Sequence, residues 1–360
     1  MALFLGAIFA TFASFGFLTD IGAMGARSGA GLAYVTLISG SISALYAWCA
    51  THRLRWIPVA VLAQIALISA GSQLFPDRTG PVDLAALERR LVMDAVLTIF
   101  CLTLGYVLFM MVILREGTRS MMLRAEMALA RDIHQSLVPP LDRRMDGIEI
   151  CGISIPSGDV GGDLVDHVDL PGGRWIGYVA DVSGHGVPAG LLMGMVKSST
   201  RTRLQTPATL VELLVDLNRI VIDARRPNMF VTFAAVRATE AGRVEFTLAG
   251  HLPIFRLRPG AADVETLSVS QIPLGILESH PFESGTSDWE PGDVLALVTD
   301  GLAEVFDRED REFGLDGIRQ RLVALAGRPL PEIRDGVLAA VRAHGPQLDD
   351  QTLLLIRRVH

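Results

Sequence analysis

Two patterns of apolar residues divide the chain. Residues 2–18, 31–50, 56–75 and 95–114 carry no charged side chain, and each run is close to the ~20 apolar residues a helix needs to cross a bilayer core. These runs predict four membrane spans. From residue 115 the pattern changes. The stretch 115–137 is rich in helix formers, lacks Gly and Pro after Gly117 and is stopped by Pro139-Pro140, so it predicts one continuous linker helix. Beyond it, short apolar or alternating runs at 148–155, 230–236, 244–248, 254–257, 294–298 and 352–356 are broken by turn residues, as antiparallel strands are. Helical spacing returns at 188–204, 207–222, 314–325 and 331–341, the second opened by Thr206 as its cap with Pro207 in its first turn. The expected organisation is an all-α, four-span transmembrane domain over 1–114, a helical signalling or dimerisation linker over 115–140, and an α+β domain over 141–360.

Composition supports the membrane part. A 360-residue chain that is 50% hydrophobic, with mean hydropathy +0.39, is too apolar for an ordinary soluble protein. The first run lacks a basic start and a small-residue cleavage site, so it reads as a retained span rather than a secretory signal. Arg53 and Arg55 after the second run, and Arg115, Arg119 and Arg124 after the fourth, favour the cytoplasm on those sides. Arg89 and Arg90 argue the other way, in a loop that also holds Asp77, Asp83 and Glu88. The expectation is a multi-pass inner-membrane protein with both termini and the α+β domain cytoplasmic. Asp94, near the start of the fourth run, is expected at the membrane interface, and Pro58 fits the first turn of the third. Cys49, Cys101 and Cys151 suggest no disulfide pattern. A net charge of -7 gives no nucleic-acid footprint.

Candidate chemistry lies in seven aspartates after residue 140: Asp159, Asp163, Asp166, Asp181, Asp300, Asp349 and Asp350. Tyr178-Val179-Ala180 runs into Asp181, and 294–299 runs into Asp300-Gly301. Asp349-Asp350 precedes the run 352–356, and Gly161-Gly162-Asp163-Leu164-Val165-Asp166 follows the run 148–155. Any one of these is an ordinary turn dipeptide. Together they gather negative charge at strand ends without a comparable group of Lys or Arg, which costs free energy unless a cation compensates it. Short, stiff oxygen ligands of this kind suit a hard divalent ion such as Mg²⁺ or Mn²⁺. Cys151 lies within a strand pattern and lacks the phosphate-cradling loop of a thiol phosphatase. His185, in the turn after Asp181, reads equally as a general acid or as a turn-fixing side chain. His251 reads as a turn or a substrate-facing residue, and Ser183 as a turn residue rather than a nucleophile.

Gly162-Asp163-Leu164-Val165-Asp166, Asp181-Val182-Ser183-Gly184-His185-Gly186, Thr299-Asp300-Gly301 and Asp349-Asp350-Gln351-Thr352 occur together in this order. The chain from about residue 125 to 358 thereby resembles the metal-dependent, 2C-like protein serine/threonine phosphatases, above all the bacterial stage II sporulation protein E type. Met229-Phe230-Val231-Thr232, Ala249-Gly250-His251-Leu252-Pro253 and Pro273-Leu274-Gly275-Ile276 add to the likeness, and 130–139 resembles the linker preceding this phosphatase type. The resemblance implies an antiparallel β-sandwich flanked by helices and two Mn²⁺ or Mg²⁺ ions that activate water against a phosphoserine or phosphothreonine protein, often an anti-sigma factor antagonist. It also implies Asp181 as the bridging ligand, with the Val182 carbonyl on one ion and Asp300 and Asp349 completing the other. Asp166, or else Asp163, would act through water, and Asp350 is the fallback for Asp349. Leu123, Met127, Ala130, His134 and Leu137 fall at coiled-coil spacing, so a homodimer through the linker helix is expected. A non-catalytic membrane receptor using the same fold, and a hydrolase of small phosphoesters, are the alternatives.

Overall fold

The structure, a computed structural model, describes residues 1–24, 27–52, 54–76, 83–145, 147–239 and 242–359. It divides into two compact units, Met1–Arg124 and Ala125–His360. Arg53 and Asp77, used above to orient the chain, lie outside the described residues, as do the side chains of Arg119 and Leu123.

The first unit holds α1 (Ala2–Gly22), α2 (Gly29–His52), α3 (Ile57–Leu74) and the beginning of α4 (Leu84–Leu137). Small residues let α1 and α2 approach closely: a Cβ added at Gly16 would lie 2.6 Å from the Thr36 Cα, a contact no other residue type could accept. Among the described residues, three helical stretches, Ala2–Gly22, Gly29–His52 and Leu84–Arg115, are long and apolar enough to cross a membrane. The third expected span corresponds to a shorter apolar helix, Ile57–Gly71. Asp94, expected at the membrane interface, is 2% exposed within the protein, beside Asp20 of α1. Asp20 in turn is held by Arg90, one helical turn before Asp94, at 2.7 Å. The fourth span and the linker, expected as separate elements, form the single 54-residue helix α4. Gly105 and Gly117 lie inside it, since an interior glycine weakens a helix by only ~1 kcal/mol.

The second unit contains eleven strands among its described residues. They are β1 (Leu141–Met145), β2 (Ile148–Ile155), β3 (Leu164–Leu170), β4 (Arg174–Val182), β5 (Val231–Ala238), β6 (Arg243–Ala249), β7 (Ile254–Leu257), β8 (Glu265–Leu267), β9 (Gly285–Asp288), β10 (Val294–Val298) and β11 (Gln351–Arg358). Its helices after α4 are α5 (Val187–Arg203), α6 (Leu210–Ala224), α7 (Asp300–Ala303), α8 (Gly314–Ala324) and α9 (Leu330–His344). Two antiparallel sheets form, ordered β1-β2-β11-β10-β7-β8 and β3-β4-β5-β6-β9.

Period-two alternation explains the layers. On β11, Leu354 and Ile356 face the second sheet and share its core with Ile176, Tyr178 and Phe233. Leu353 and Leu355 face the other way, packing with Ile318 and Leu322 of α8 and Ile333, Val337 and Val341 of α9. β10 splits likewise, Leu295 and Leu297 inward, Val294, Ala296 and Val298 toward the helices. On the opposite side α5 and α6 cover the second sheet with Met193, Val196, Leu213, Leu214 and Leu217. The result is the expected helix-flanked antiparallel sandwich. Cys151 belongs to the helix-facing layer and burial pushes its thiol up, as a core residue requires.

One helix start differs from expectation. α6 begins at Leu210, capped by Thr209, whose hydroxyl accepts from the Glu212 amide while Glu212 returns a bond to the Thr209 amide. Thr206 instead donates to the Arg203 carbonyl at 3.2 Å. The reciprocal capping box satisfies two orphan amides where Thr206 would satisfy one. Thr209→Ala is expected to lower stability by about 1 kcal/mol in urea denaturation of the full chain, with Thr206→Ala close to neutral.

Candidate metal centre

Strand pairing brings the acidic motifs to one end of the sandwich. The start of β3 is opposite the end of β4, Leu164 facing Ala180, so Asp163 and Asp181 are neighbours. The end of β10 is opposite the start of β11, Val298 facing Leu353, which brings Asp300 beside Asp349 and Asp350. A buried hydrogen bond of 2.8 Å from the Thr299 hydroxyl to Asp163 joins the two sheets at this point. The Thr299 hydroxyl also accepts from the Thr352 amide at 3.0 Å.

Of the seven aspartates, two are neutralised by cations. Asp159 pairs with Arg131 of α4. Asp166, on β3, accepts two bonds of 2.7 Å from Arg201, one of 2.8 Å from the Tyr178 hydroxyl and one of 2.9 Å from the His167 amide, with Lys197 at 3.4 Å. Burial pushes the Asp166 carboxyl up, but these donors more than cancel it and leave it below the usual carboxylate range. Both its oxygens are thus engaged, and Asp166 is set apart from the other acids. The sequence shows its position but not Lys197 and Arg201, which arrive from α5 about thirty residues later.

The remaining five, Asp163, Asp181, Asp300, Asp349 and Asp350, form no ion pair among the described residues. Asp350 is nonetheless occupied. One oxygen accepts from the Ser157 amide at 2.7 Å and the other from the Gly162 amide at 2.6 Å, so this carboxylate organises the loop before β3. Gly161 is required there, because a Cβ would stand 2.4 Å from an Asp350 oxygen. Asp349 is exposed and uses one oxygen to accept from the Asp350 amide at 2.8 Å. The adjacent pair is thereby distinguished: Asp350 is turned inward and bonded, whereas Asp349 keeps an oxygen for another partner. The Val182 carbonyl lies against Gly162, where a Cβ would approach it to 2.7 Å.

Electrostatics ties the unpaired acids together. Burial, then repulsion from Asp300, Asp349 and Asp350, pushes the Asp181 carboxyl up to about 7. Burial and Asp349 raise Asp300, while burial and Asp181 raise the fully enclosed Asp163. Glu304, one helical turn beyond Asp300, is raised by burial and by Asp300; no motif in the sequence marks it, and only its i+4 spacing from Asp300 is a signal that it belongs to the same side. Among the described residues, no three of these side chains are already drawn together as a complete ligand set for one ion. Their chemistry nevertheless fits a hard divalent cation: oxygen donors, high negative charge and, among the described residues, no Lys or Arg paired with them.

This charge predicts a stability signature. A carboxyl raised to about 7 in the folded chain and ordinary in the unfolded chain holds its proton only when folded, so metal-free stability falls as pH rises from about 4 to about 7. Asp181→Asn is therefore expected to raise the melting temperature of the chelator-treated full chain at pH 8. The gain should vanish near pH 4 and reverse in sign when saturating Mn²⁺ is present, as differential scanning calorimetry would report.

The neighbouring side chains have simpler tasks. Ser183 closes the turn after β4, donating its amide to the Phe230 carbonyl at 3.0 Å and accepting from the Phe230 amide at 2.9 Å, which suits a turn residue. His185 is exposed in the following turn. His251 shares a 2.8 Å hydrogen bond with Thr232, whose strand position is opposite Asp181, and burial pushes the imidazole down to about 4. It is therefore neutral near pH 7. His134, at the end of α4, is buried against the Gly161 loop and Asp350, so part of the linker stripe is already occupied by its own catalytic unit.

A family model described as "Stage II sporulation protein E (SpoIIE)" matches residues 171–359, just over half of the chain. The chain belongs to the SpoIIE family. Among curated proteins it is similar to "Phosphoserine phosphatase RsbU" of Bacillus subtilis, 27% identical over 244 residues that cover 66% of this chain and 71% of that protein. Among solved structures, the RsbU and RsbW domains of Rv1364c from Mycobacterium tuberculosis are 25% identical with a TM-score of 0.52, covering 62% of this chain and 62% of that one. The chain thus spans less than two thirds of that Mycobacterium protein. The SiaA-PP2C domain of Pseudomonas aeruginosa, 19% identical, superposes with a TM-score of 0.56 over 66% of this chain and 98% of that domain, and shares the fold.

Proposed function

We propose that the chain is a membrane-anchored, metal-dependent serine/threonine protein phosphatase. The observation that carries this reading is the set of carboxylates at one end of the sandwich with no cation of their own, in a chain of the SpoIIE family. The likeness to a protein named as a phosphoserine phosphatase supports the same reaction. Asp181, Asp300, Asp349 and the Val182 carbonyl would hold two Mn²⁺ or Mg²⁺ ions, with Asp163 behind them. When bound, such ions supply charge neutralisation for phosphoryl oxygens and a water activated for attack on phosphorus. Asp350 and Thr299 hold the loop and the Asp163 carboxyl in place, Ser183 fixes the turn that presents the Val182 carbonyl, and His185, exposed in the following turn, would be the candidate to protonate a leaving serine or threonine oxygen.

The substrate we infer is a regulatory phosphoprotein of the anti-sigma factor antagonist class. Support for it is the family resemblance, and phosphoproteomics after deletion of this chain would identify the sites that accumulate phosphate. Placement of the catalytic unit at the cytoplasmic face of the inner membrane rests on the Arg115 and Arg124 end of the fourth span. Hydrolysis of a phosphopeptide by purified protein, dependent on Mn²⁺, tests the reaction. Turnover of small phosphoesters but not of phosphopeptides would instead assign a hydrolase of small phosphoesters, and binding without turnover would assign a non-catalytic membrane receptor.

A homodimer through α4 belongs to the same proposal, relocated on the helix. His134 and Leu137 face their own unit, whereas Met122, Leu129 and Ile133 are exposed and spaced by seven and four residues, as a coiled-coil seam requires. Deleting four residues within 115–124 would shorten the helix by ~6 Å and rotate its ends by ~40°, while deleting seven keeps the ends within ~20°. The four-residue deletion is expected to alter activity several-fold and the seven-residue deletion much less. Equal, unchanged activity in both would remove the coupling.

A further inference from the structure

In the membrane unit a cleft of about 590 Å³, open on one side, lies between α1, α2 and α3, within the range that accepts one small ligand. Phe12, Phe15, Ile38, Ile42, Ile68 and Phe75 make its wall largely apolar. Both tyrosines in the wall are paired with the protein itself: the Tyr34 hydroxyl donates to the Leu67 carbonyl at 2.7 Å, and the Tyr46 hydroxyl to Gln64 at 2.7 Å. Arg27 is different. It lines the cavity, and one of its terminal guanidinium nitrogens is buried with no hydrogen-bond partner. No carboxylate of the described residues forms an ion pair with it, because the nearby acid Asp20 takes the Arg27 backbone amide at 3.3 Å and gives its charge to Arg90 at 2.7 Å.

A buried guanidinium nitrogen without an acceptor is costly, and a planar carboxylate satisfies it with charge-assisted bonds. One unpaired cation matches a monoanion, and the apolar remainder matches a hydrocarbon chain. The volume is too small for the two chains of a phospholipid. We propose that this cavity binds a single-chain carboxylate amphiphile, a fatty acid, with its head on Arg27 and its chain between α1, α2 and α3. The site lies wholly within the membrane unit and stands independently of the catalytic reading.

The test uses the full chain in phosphatidylcholine nanodiscs, with radiolabelled palmitate as probe and palmitate or methyl palmitate as competitor. Saturable binding is expected, displaced at least tenfold more effectively by the acid than by the uncharged ester. Arg27→Gln is expected to erase that preference, and Ile68→Trp, which fills the cavity, to abolish saturable binding of either. Monodisperse elution and retained phosphopeptide turnover in both variants would confirm that they fold. Equal competition by acid and ester in the unmodified protein would overturn the proposal without any variant. So would uptake no greater than that of empty nanodiscs, or an acid preference that survives Arg27→Gln.

Discussion

Replacing Asp181 or Asp300 by alanine is expected to lower Mn²⁺-dependent phosphopeptide turnover by roughly 10³-fold, about 4 kcal/mol of transition-state stabilisation. The size follows from what each side chain can supply. Asp181 lies opposite Thr232 at the end of β4 and interacts with Asp300, Asp349 and Asp350, so it is central to the acidic group. Asp300 opens the short helix α7 next to Asp349. Removing either takes away an anionic donor that no neighbouring side chain replaces. Loss of folding would not explain such a result, because each substitution relieves repulsion among unpaired carboxylates and should leave the metal-free protein at least as stable. Ser183→Ala and Cys151→Ala provide the contrast: Ser183 serves a turn and Cys151 a core layer, so turnover should change by less than about tenfold. Full turnover in both aspartate variants would reject the proposed mechanism.

Much of this arrangement is legible in the sequence because it resides in local patterns. An apolar strand ending in Asp-Gly or Asp-Val identifies Asp181 and Asp300 without knowledge of the fold, and the charge-free runs coincide with the apolar helices α1, α2, α3 and the first part of α4, three of which are long enough to cross a membrane. The edge strands β1, β8 and β9 are harder to see. β1 carries Asp142, Arg143 and Arg144 in a row and is held by its pairing with β2 rather than by its own propensity. The start of α6 is ambiguous in the sequence for a related reason: Thr206 and Thr209 are both capping residue types, and only the reciprocal bond with Glu212 decides between them. The boundary between the fourth span and the linker is invisible in the backbone because α4 passes through it unbroken. The roles of Asp349 and Asp350 were separable only in three dimensions, since the loop amides of Ser157 and Gly162 lie nearly two hundred residues away.

Asp166→Ala is expected to act on stability first, costing about 3 kcal/mol in chemical denaturation of the full chain, because it leaves Lys197, the Tyr178 hydroxyl and Arg201 without their common acceptor. The value belongs at the low end for a buried pair, as Arg201 is half exposed and partly screened. The sign with pH follows from the depressed carboxyl. Its contribution is fully present above the ordinary aspartate range, near pH 4, and is lost as pH falls through the lower folded value. Asp166→Asn, which keeps the shape but not the charge, should therefore differ from the unmodified chain at pH 7 and converge with it in strong acid. A direct task at the metal centre predicts a different outcome, namely unchanged denaturation with a raised Mn²⁺ requirement. The geometry argues against that alternative, because every donor around Asp166 comes from β3, β4 or α5, and none of the unpaired carboxylates is among its electrostatic neighbours.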